Sequence, residues 1–181
     1  MSNLKTVAKF EKVSFDRFKK DVMNLSNYFD VLCDCSIKEE DIEGLYNSII
    51  LPKRSSVGSA GYDIFNPVNT FTLHTESAII VPTGLKCYID DGWFLDINPR
   101  SGMGFKYHMH LANTRGIIDS DYFNNEDNEG HIMIKIVNGD VTNVKIYNGK
   151  AFAQGIFTVY GITYDDDATD IRKGGLGSSD K

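Results

Sequence analysis

The C-terminal residues 172–179 combine the side chains and backbone that can grip a phosphate. Arg172 offers a planar guanidinium that matches phosphate oxygens, and the glycines after it let backbone N–H groups approach an anion closely. Two serines add hydroxyls. Because a Gly- and Ser-rich end is also typical of a solvated tail, this segment alone leaves a phosphate-closing lid and a tail as open interpretations.

Residues 99–104, Pro-Arg-Ser-Gly-Met-Gly, form a second candidate phosphate site in a predicted loop. They follow a predicted strand and place Arg100, the Ser101 hydroxyl and the Gly102 backbone where they can converge on an oxyanion. A glycine turn with a capping Ser101 explains the same residues. The chain has no P-loop, since Lys150 follows a glycine without the required spacing or a following Ser or Thr.

Residues 112–122 predict two strands that meet near an Asp-Ser-Asp turn. Asp and Asn commonly hydrogen-bond turn backbones, which gives these polar residues a structural interpretation. Asp119 directly follows two apolar residues, so it could instead face a pocket as a general base, with Tyr122 as a flat wall. Asn113 could read the edge of a base, because its amide both donates and accepts hydrogen bonds.

The elements that must position these groups change type along the chain. Residues 14–29 carry apolar side chains at three- and four-residue steps behind a potential N-cap at Ser14, which predicts an amphipathic helix. A second helix is predicted to begin at Ser36, with Glu39 completing a capping box, and to end before Pro52. Both apolar stripes are interpreted as packing surfaces.

From Leu51 onward the apolar pattern alternates, which predicts short strands rich in Val, Ile, Thr and aromatic residues. The predicted strands lie at 71–74, 78–81, 85–89, 93–97, 132–136 and 155–160. Six or more short strands without helices between them predict a β-sandwich or barrel. Residues 165–181 lose this periodicity, so we expect a flexible arm there.

Composition limits the classes of function. The 181 residues are 41% hydrophobic, which is typical of one globular domain. We expect a cytoplasmic protein, because the sequence shows no export signal and no run of apolar residues long enough to span a membrane. The three cysteines predict reduced thiols and no structural zinc. A net charge of −6 argues against nucleic-acid binding, so any phosphate site must be local or assisted by a metal ion.

Five ordered segments of the chain resemble the motifs of the homotrimeric dUTP diphosphatases, or dUTPases. They are residues 59–64, 99–102, 116–122, 149–157 and 172–179. The resemblance extends from residue 51 to residue 181. It implies a mainly β, jelly-roll-like sandwich or barrel at 51–164, preceded by an N-terminal helical extension at 1–50. The arm at 165–181 would close over the active site.

The resemblance also implies a reaction. Water attacks the α-phosphorus of dUTP and releases dUMP and pyrophosphate, with Mg²⁺ bridging the phosphates. Asp119 would orient or deprotonate the water and hold the 3′-hydroxyl, while Tyr122 would pack under the deoxyribose and exclude a 2′-hydroxyl. Three subunits would build each site, so the expected assembly is a homotrimer and a monomer would be inactive.

The remaining roles that the resemblance implies concern the base and the phosphates. Uracil would be read, in a hairpin too tight for a 5-methyl group, by Asn113 and the backbone at Gly116, Ile117 and Ile118. The phosphate chain would be held by Arg100, Ser101, Gly102 and Gln154, and the γ-phosphate would be covered by Arg172, Gly177 and Ser178. Asp63 would act on hydrated Mg²⁺ through water.

Three features depart from the family pattern. Leu176 stands where the family usually has an aromatic ring that stacks on uracil, and loss of a stack worth ~1–3 kcal/mol predicts weaker substrate affinity. Residues 123–129 intervene before Gly130, where the family usually has Tyr-x-Gly. That acidic loop is interpreted as a solvated excursion or as a segment near the site. The first fifty residues are an addition, for packing or for docking a partner.

Two other functions stay open on the sequence. The related dCTP deaminases share the fold but use a catalytic Glu just after the third motif, where residues 131–135 contain no carboxylate. Zinc deaminases need H-x-E and P-C-x-x-C, and the chain has neither. A non-enzymatic, dUTP-binding regulatory protein is the second alternative, against which the presence of Asp119 favours an enzyme.

Overall fold

Short antiparallel strands dominate the computed structural model, which describes residues 4–170, 172, 174 and 175. The strands are β1 (Ala8–Lys12), β2 (Lys53–Arg54), β3 (Tyr62–Phe65), β4 (Phe71–Leu73), β5 (Ala78–Pro82), β6 (Leu85–Ile89), β7 (Trp93–Pro99), β8 (Met109–Leu111), β9 (Gly116–Ile118), β10 (Met133–Asn138), β11 (Val144–Ile146) and β12 (Ala151–Val159). They form sheets in the orders β1-β6, β5-β10-β8, β11-β4 and β2-β3-β12-β7-β9. The predicted mainly β fold is confirmed.

The sheet that contains β7 and β9 fixes the position of the predicted third motif. β9 pairs antiparallel with β7, with Leu95 opposite Ile118 and Ile97 opposite Gly116. Leu95 and Ile97 are fully buried, so a slip of one residue would expose a core face. A Cβ atom at Gly116 would lie 3.0 Å from Ile97 Cβ, so glycine permits this close pairing. The residues just before and after β9 are therefore held in a defined place.

Helix α1 (Phe15–Cys33) packs its apolar face into the core that the strands build. The Ser14 side chain accepts a hydrogen bond from the Arg17 N–H at 3.1 Å, which confirms the predicted N-cap. The rings of Phe29 and Phe71 meet edge-on with centroids 5.3 Å apart, joining α1 to β4. Within the described residues, no helix is long and apolar enough to cross a membrane.

One sequence expectation for the first fifty residues was wrong, and one strand there was not predicted. Ser36 does not cap a helix, because a 3-10 turn (Glu39–Asp41) precedes helix α2 (Ile42–Asn47) and neither begins with a side-chain cap. Residues 35–38 instead alternate between buried and exposed positions, which keeps the chain extended against the core. The segment also contributes β1, which pairs with β6 and was not predicted from the sequence.

The loop at residues 123–131 is tied to the beginning of α1 by a carboxylate. Glu129 accepts hydrogen bonds from the Ser14 N–H at 2.9 Å and the Ser14 hydroxyl at 2.6 Å. Burial raises the pKa of Glu129, but the hydrogen bonds from Ser14 outweigh it and the pKa lies below its usual value. A carboxyl group with a lowered folded-state pKa stabilises the protein above its unfolded pKa, and this contribution is lost as the pH falls through the folded-state pKa.

We therefore expect Glu129→Gln to lower the free energy of unfolding by about 1 kcal/mol at neutral pH. The difference from the unsubstituted protein should shrink as the pH falls through the lowered pKa of Glu129, where the wild-type carboxylate also becomes protonated. Urea unfolding across this pH range measures both effects, and Glu126→Gln at an exposed position of the same loop is the control. A difference that does not depend on pH would contradict this account of the contact.

Candidate active site

Four of the predicted base-reading residues line one pocket. Asn113, Gly116, Ile117 and Ile118 border a cavity of ≈ 330 Å³. The rest of its wall comes from Ile80, Ile97, Leu111, Ala112, Ile132, Met133, Ile134 and Lys135. A mostly aliphatic wall with a few polar groups is typical of a small-molecule site. We call this cavity the Asn113 pocket.

The turn that carries Asn113 differs from the predicted hairpin. β8 and β9 lie in different sheets, and the turn at 112–115 joins them. Thr114 has a positive φ of 66° and donates its N–H to the Leu111 carbonyl at 3.0 Å. The Asp-Ser-Asp sequence does not join two strands. Asp119 instead precedes a 3-10 turn at Ser120–Tyr122. The sequence pattern did not show that the tight turn lies before β9 rather than after it.

An ion pair holds this turn against β7. Arg115 donates from Nε to Asp96 Oδ1 at 3.2 Å and from Nη2 to Asp96 Oδ2 at 2.5 Å. The Asp96 side chain is mostly buried, and such a two-point contact fixes direction as well as distance. Asn113 is therefore presented from an anchored turn.

Asp119, Tyr122 and Arg172 meet beside the end of β9, and we call them the Asp119 cluster. Arg172 Nη2 donates to Asp119 Oδ2 at 2.7 Å, and its Nε donates to Asp121 Oδ1 at 2.9 Å. The guanidinium carbon lies 5.7 Å from the centre of the Tyr122 ring. Asp119 is about half exposed, with 47% of its side-chain surface accessible. A carboxylate and a cation thus meet at a solvent-accessible position, against a buried aromatic ring.

The Tyr122 side chain is held by its hydroxyl. Only 4% of the residue is exposed. Its hydroxyl donates to the His131 carbonyl at 3.1 Å and accepts from Asn128 Nδ2 at 2.7 Å. Burial raises the pKa of Tyr122 above its usual value, so the phenol keeps its proton and can donate it at neutral pH. The ring therefore has one defined orientation.

Three other predicted residues form a second group, the Arg100 cluster of Asp63, Arg100 and Gln154. Arg100 Nε lies 3.0 Å from Asp63 Oδ1, and Gln154 Nε2 donates to the Pro99 carbonyl at 3.2 Å. The register between β12 and β3 places Gln154 opposite Asp63. This cluster presents a cation, a carboxylate and an amide from the neighbouring strands β3 and β12 and from the end of β7.

The prediction of a loop at 99–104 was wrong, because helix α3 (Ser101–Tyr107) begins there. Met103 and Tyr107, one helical turn apart, pack against the core and favour the helix over an open turn. Arg100 occupies the N-cap position without a side-chain capping bond, so Ser101 does not cap the helix. Ser101 and Gly102 lie in the first turn, beside the Arg100 cluster.

The donor atoms of the Arg100 cluster fit a hydrated Mg²⁺ ion. The described residues contain no group of three or more His, Cys, Asp or Glu side chains that could hold a metal ion. Mg²⁺ does not need one, since it commonly keeps several waters and binds through one or two carboxylates and the phosphates of a substrate. The ion pair with Arg100 engages one oxygen of Asp63, and the side chain is partly exposed.

The two clusters are separate within one chain. Ile118 pairs with Leu95 near the beginning of β7, so Asp119 lies toward that end of the strand, whereas Arg100 follows its other end at Pro99. Among the described residues, no hydrogen bond or ion pair joins the two clusters. Three residues of the expected arm lie outside the described residues: Leu176, Gly177 and Ser178. One chain thus carries the candidate site as two halves.

The dUTPase family model matches residues 47–180. This chain belongs to the dUTPase family. The deoxyuridine 5′-triphosphate nucleotidohydrolase of Lactococcus lactis is 38% identical over 133 residues, which cover 72% of this chain and 88% of the relative. The predicted family is confirmed.

Solved structures of dUTPases agree with the fold. The crystal structure of the dUTPase from Streptococcus mutans has 34% sequence identity and a TM-score of 0.57, and the match covers 62% of this chain and 88% of that chain. A dUTPase variant from phage phi11 of S. aureus has 20% identity and a TM-score of 0.54 over 67% of this chain and 90% of that chain. Its structure describes the coordination of a structural Mg(II) ion in that protein.

Sequence reasoning missed several polar residues of this dUTPase that hold the predicted ones. Asp96 and Arg115 anchor the turn that carries Asn113, and Asn128 binds the Tyr122 hydroxyl. Asp121 shares Arg172 with Asp119. The Asn- and Asp-rich composition of residues 124–128 was a signal for turn-forming side chains. It could not indicate that one of these side chains reaches back to Tyr122.

Proposed function

We propose that this chain hydrolyses dUTP to dUMP and pyrophosphate, with Mg²⁺ bound to the phosphates. The observation that carries the proposal is the meeting of Asp119, Tyr122 and Arg172 beside the Asn113 pocket. Water attacks the α-phosphorus, the bond from that phosphorus to the bridging oxygen of the β-phosphate breaks, and pyrophosphate leaves. No covalent intermediate with the protein is needed.

Base selection is assigned to the Asn113 pocket. The amide of Asn113 and backbone groups at 116–118 offer both donors and acceptors to the edge of uracil. A base with the reversed donor pattern would leave a buried polar group unpaired, so the site can reject that base by several orders of magnitude in favourable cases. The aliphatic wall supplies the contact with the face of the ring.

We assign to Asp119 the activation or orientation of the attacking water. A carboxylate can accept a proton from water as the new P–O bond forms, or orient the water without taking the proton. Asp119 is held by Arg172 at 2.7 Å, and phosphate oxygens compete well for a guanidinium. We expect the triphosphate to draw Arg172 away from Asp119, so that substrate binding both covers the phosphates and releases the carboxylate.

The phosphate chain is assigned to Arg100, Ser101, Gly102 and Gln154, with Asp63 binding the hydrated Mg²⁺ through water. When bound, Mg²⁺ neutralises part of the phosphate charge and favours departure of pyrophosphate. Arg100 adds a fixed positive charge, and its ion pair with Asp63 keeps both side chains in place before the substrate arrives. Positioning and charge neutralisation are the main tasks of a protein in phosphoryl transfer.

The separation of the two clusters supports a homotrimer whose sites lie between subunits. The Arg100 cluster of one subunit would face the Asp119 cluster of another, and residues 165–181 would act as the arm that closes each site with Gly177 and Ser178. Residues 51–164 would form the catalytic β domain, and residues 1–50 its N-terminal extension. The free, buried thiols of Cys33, Cys35 and Cys87 suit a cytoplasmic location.

A deaminase is not favoured by the loop after the third motif. Glu129 is the carboxylate nearest to the position where the related deaminases carry a catalytic Glu. Both of its oxygens accept hydrogen bonds from Ser14, so it is engaged in a structural contact.

Hydrolysis in oxygen-18 water tests where the attack occurs. We expect the label in dUMP and none in pyrophosphate, because the water oxygen joins the α-phosphorus. Mass spectrometry of both products after partial hydrolysis measures this, with hydrolysis in ordinary water as the control. Label in pyrophosphate would show attack on the β-phosphorus and would overturn the proposed route.

A further inference from the structure

We infer that Asp21 on helix α1 and His131 are positioning residues for Tyr122, so that the N-terminal helix takes part in selecting the substrate. The inference rests on the proposed function for the role of the Tyr122 ring against the sugar. Its structural part rests on a chain of hydrogen bonds that joins α1 to the Tyr122 hydroxyl. None of the five family motifs contains Asp21 or His131.

His131 is fixed on both ring nitrogens. The side chain is fully buried, and its Nε2 accepts the backbone N–H of Gly84 at 2.8 Å. Because Nε2 accepts, the ring proton sits on Nδ1, which donates to Asp21 Oδ2 at 2.6 Å. A histidine held at two points has a fixed ring plane, and its backbone is restrained with it.

The backbone of His131 is what Tyr122 binds. The His131 carbonyl accepts the Tyr122 hydroxyl at 3.1 Å, while Asn128 donates to the same hydroxyl at 2.7 Å. Asn128 Oδ1 in turn accepts the Gly130 N–H at 3.0 Å, next to His131. A Cβ atom at Gly130 would lie 2.6 Å from the Tyr122 carbonyl, so the loop approaches this residue closely. A displacement of His131 would therefore reach the Tyr122 hydroxyl directly.

One polar face of α1 follows this loop over two turns. Ser14 binds Glu129, Arg17 Nη2 donates to the Asp127 carbonyl at 2.7 Å, and Asp21 binds His131. Positions 14, 17 and 21 lie three and four residues apart, so they share a face of the helix. Arg17 Nη1 also lies 3.3 Å from Asp21 Oδ1. This contact orients the Asp21 carboxylate so that Oδ2 faces His131. A helix that served only to fill the core would not need this polar face.

Loss of the Asp21 carboxylate should loosen the ring that touches the sugar. In Asp21→Ala the buried Nδ1–H of His131 loses its acceptor, and the imidazole must turn to find another. We expect the preference for dUTP over UTP, measured as the ratio of kcat/KM values, to fall about tenfold. KM for dUTP should rise more than kcat falls, because Asp119 and its water are not touched.

Two control variants separate the loss of the hydrogen-bond acceptor for His131 from the loss of a negative charge on the helix. Asp21→Asn retains an oxygen that can accept from Nδ1, so we expect selectivity within about threefold of the unsubstituted protein. Asp30→Ala removes an exposed carboxylate from the same helix, away from the loop contacts, and should leave the selectivity unchanged. If Asp21→Ala does not fold, Arg17→Lys, which cannot reach both Asp21 and the Asp127 carbonyl, should shift selectivity in the same direction.

A double-mutant cycle separates positioning from a general loss of stability. In a Tyr122→Phe background the hydroxyl is absent, so adding Asp21→Ala should change selectivity by less than about twofold. An equal loss with and without the Tyr122 hydroxyl would overturn the inference. Folding and trimer formation of each variant would be measured alongside.

A spectroscopic measurement keeps this test independent of catalysis. With 3-fluorotyrosine placed only at position 122, the fluorine NMR signal should shift or broaden in Asp21→Ala and return in Asp21→Asn. If the unsubstituted protein did not hydrolyse dUTP, the proposed function would fail while this signal still reported on the positioning. An unchanged signal in Asp21→Ala would overturn the positioning itself.

Discussion

Asp119→Asn is expected to lower kcat for dUTP by roughly 10²- to 10⁴-fold. The amide has the size of the carboxylate but cannot take a proton from water, and it orients the water poorly. Substrate binding should persist, because the Asn113 pocket and the Arg100 cluster are unchanged. Single-turnover hydrolysis with excess enzyme measures the chemical step, and titration with a non-hydrolysable dUTP analogue measures binding.

Asp121→Asn is the matched control for this substitution. Asp121 binds the same guanidinium, Arg172 Nε at 2.9 Å, but is assigned no role with the water. The same loss of charge and of one contact to Arg172 should therefore cost only a few-fold in kcat/KM. Comparable losses in both variants would show that the clamp on Arg172, rather than the chemistry at Asp119, sets the rate.

Two inactive variants should restore activity to each other when they assemble together. Arg100→Ala damages one cluster and Asp119→Asn the other, and the proposed sites take these clusters from different subunits. With random assembly of equal amounts of the two variants, half of the Arg100 clusters and half of the Asp119 clusters are intact. A complete site needs an intact cluster of each kind from two different chains, so about one quarter of the sites become complete. Co-expression with two affinity tags and sequential purification supplies the mixed assemblies.

The controls for complementation are the two variants expressed alone and their purified forms mixed without unfolding. Each variant alone should remain near its own residual rate. Mixed assemblies of two variants within one cluster, Arg100→Ala and Gln154→Ala, should recover nothing, because every chain in them carries a damaged Arg100 cluster. Absence of recovery between Arg100→Ala and Asp119→Asn would contradict a site shared by subunits.

Local patterns in the sequence predicted the elements whose stability is local. Ser14 and the apolar spacing behind it identified α1, and the alternation of Leu95 and Ile97 identified β7. The failures came where packing decided the conformation. Met103 and Tyr107 draw residues 101–107 into a helix, and burial of Ile37 keeps its neighbours extended. Propensity is a weak guide when tertiary contacts outweigh it.

The candidate site divides in the same way. Residues within motifs could be proposed for the site because each motif is contiguous, and Asp119 was proposed together with Tyr122, three residues away. The bond between Asp21 and His131 joins residues 110 positions apart, with no pattern in the intervening sequence to indicate it. The same holds for Arg17 and the Asp127 carbonyl. Such contacts depend on how α1 lies across the strands, which only the assembled fold determines.

Pyrophosphate release from dUTP, dCTP, dTTP and UTP in the presence of Mg²⁺ tests the central claim most directly. We expect rapid release from dUTP, little release from the other three nucleotides, and dependence on added Mg²⁺. Tight binding of dUTP without release would contradict the enzymatic claim and favour a regulatory protein. Formation of a uracil nucleotide from dCTP would contradict it in favour of a deaminase.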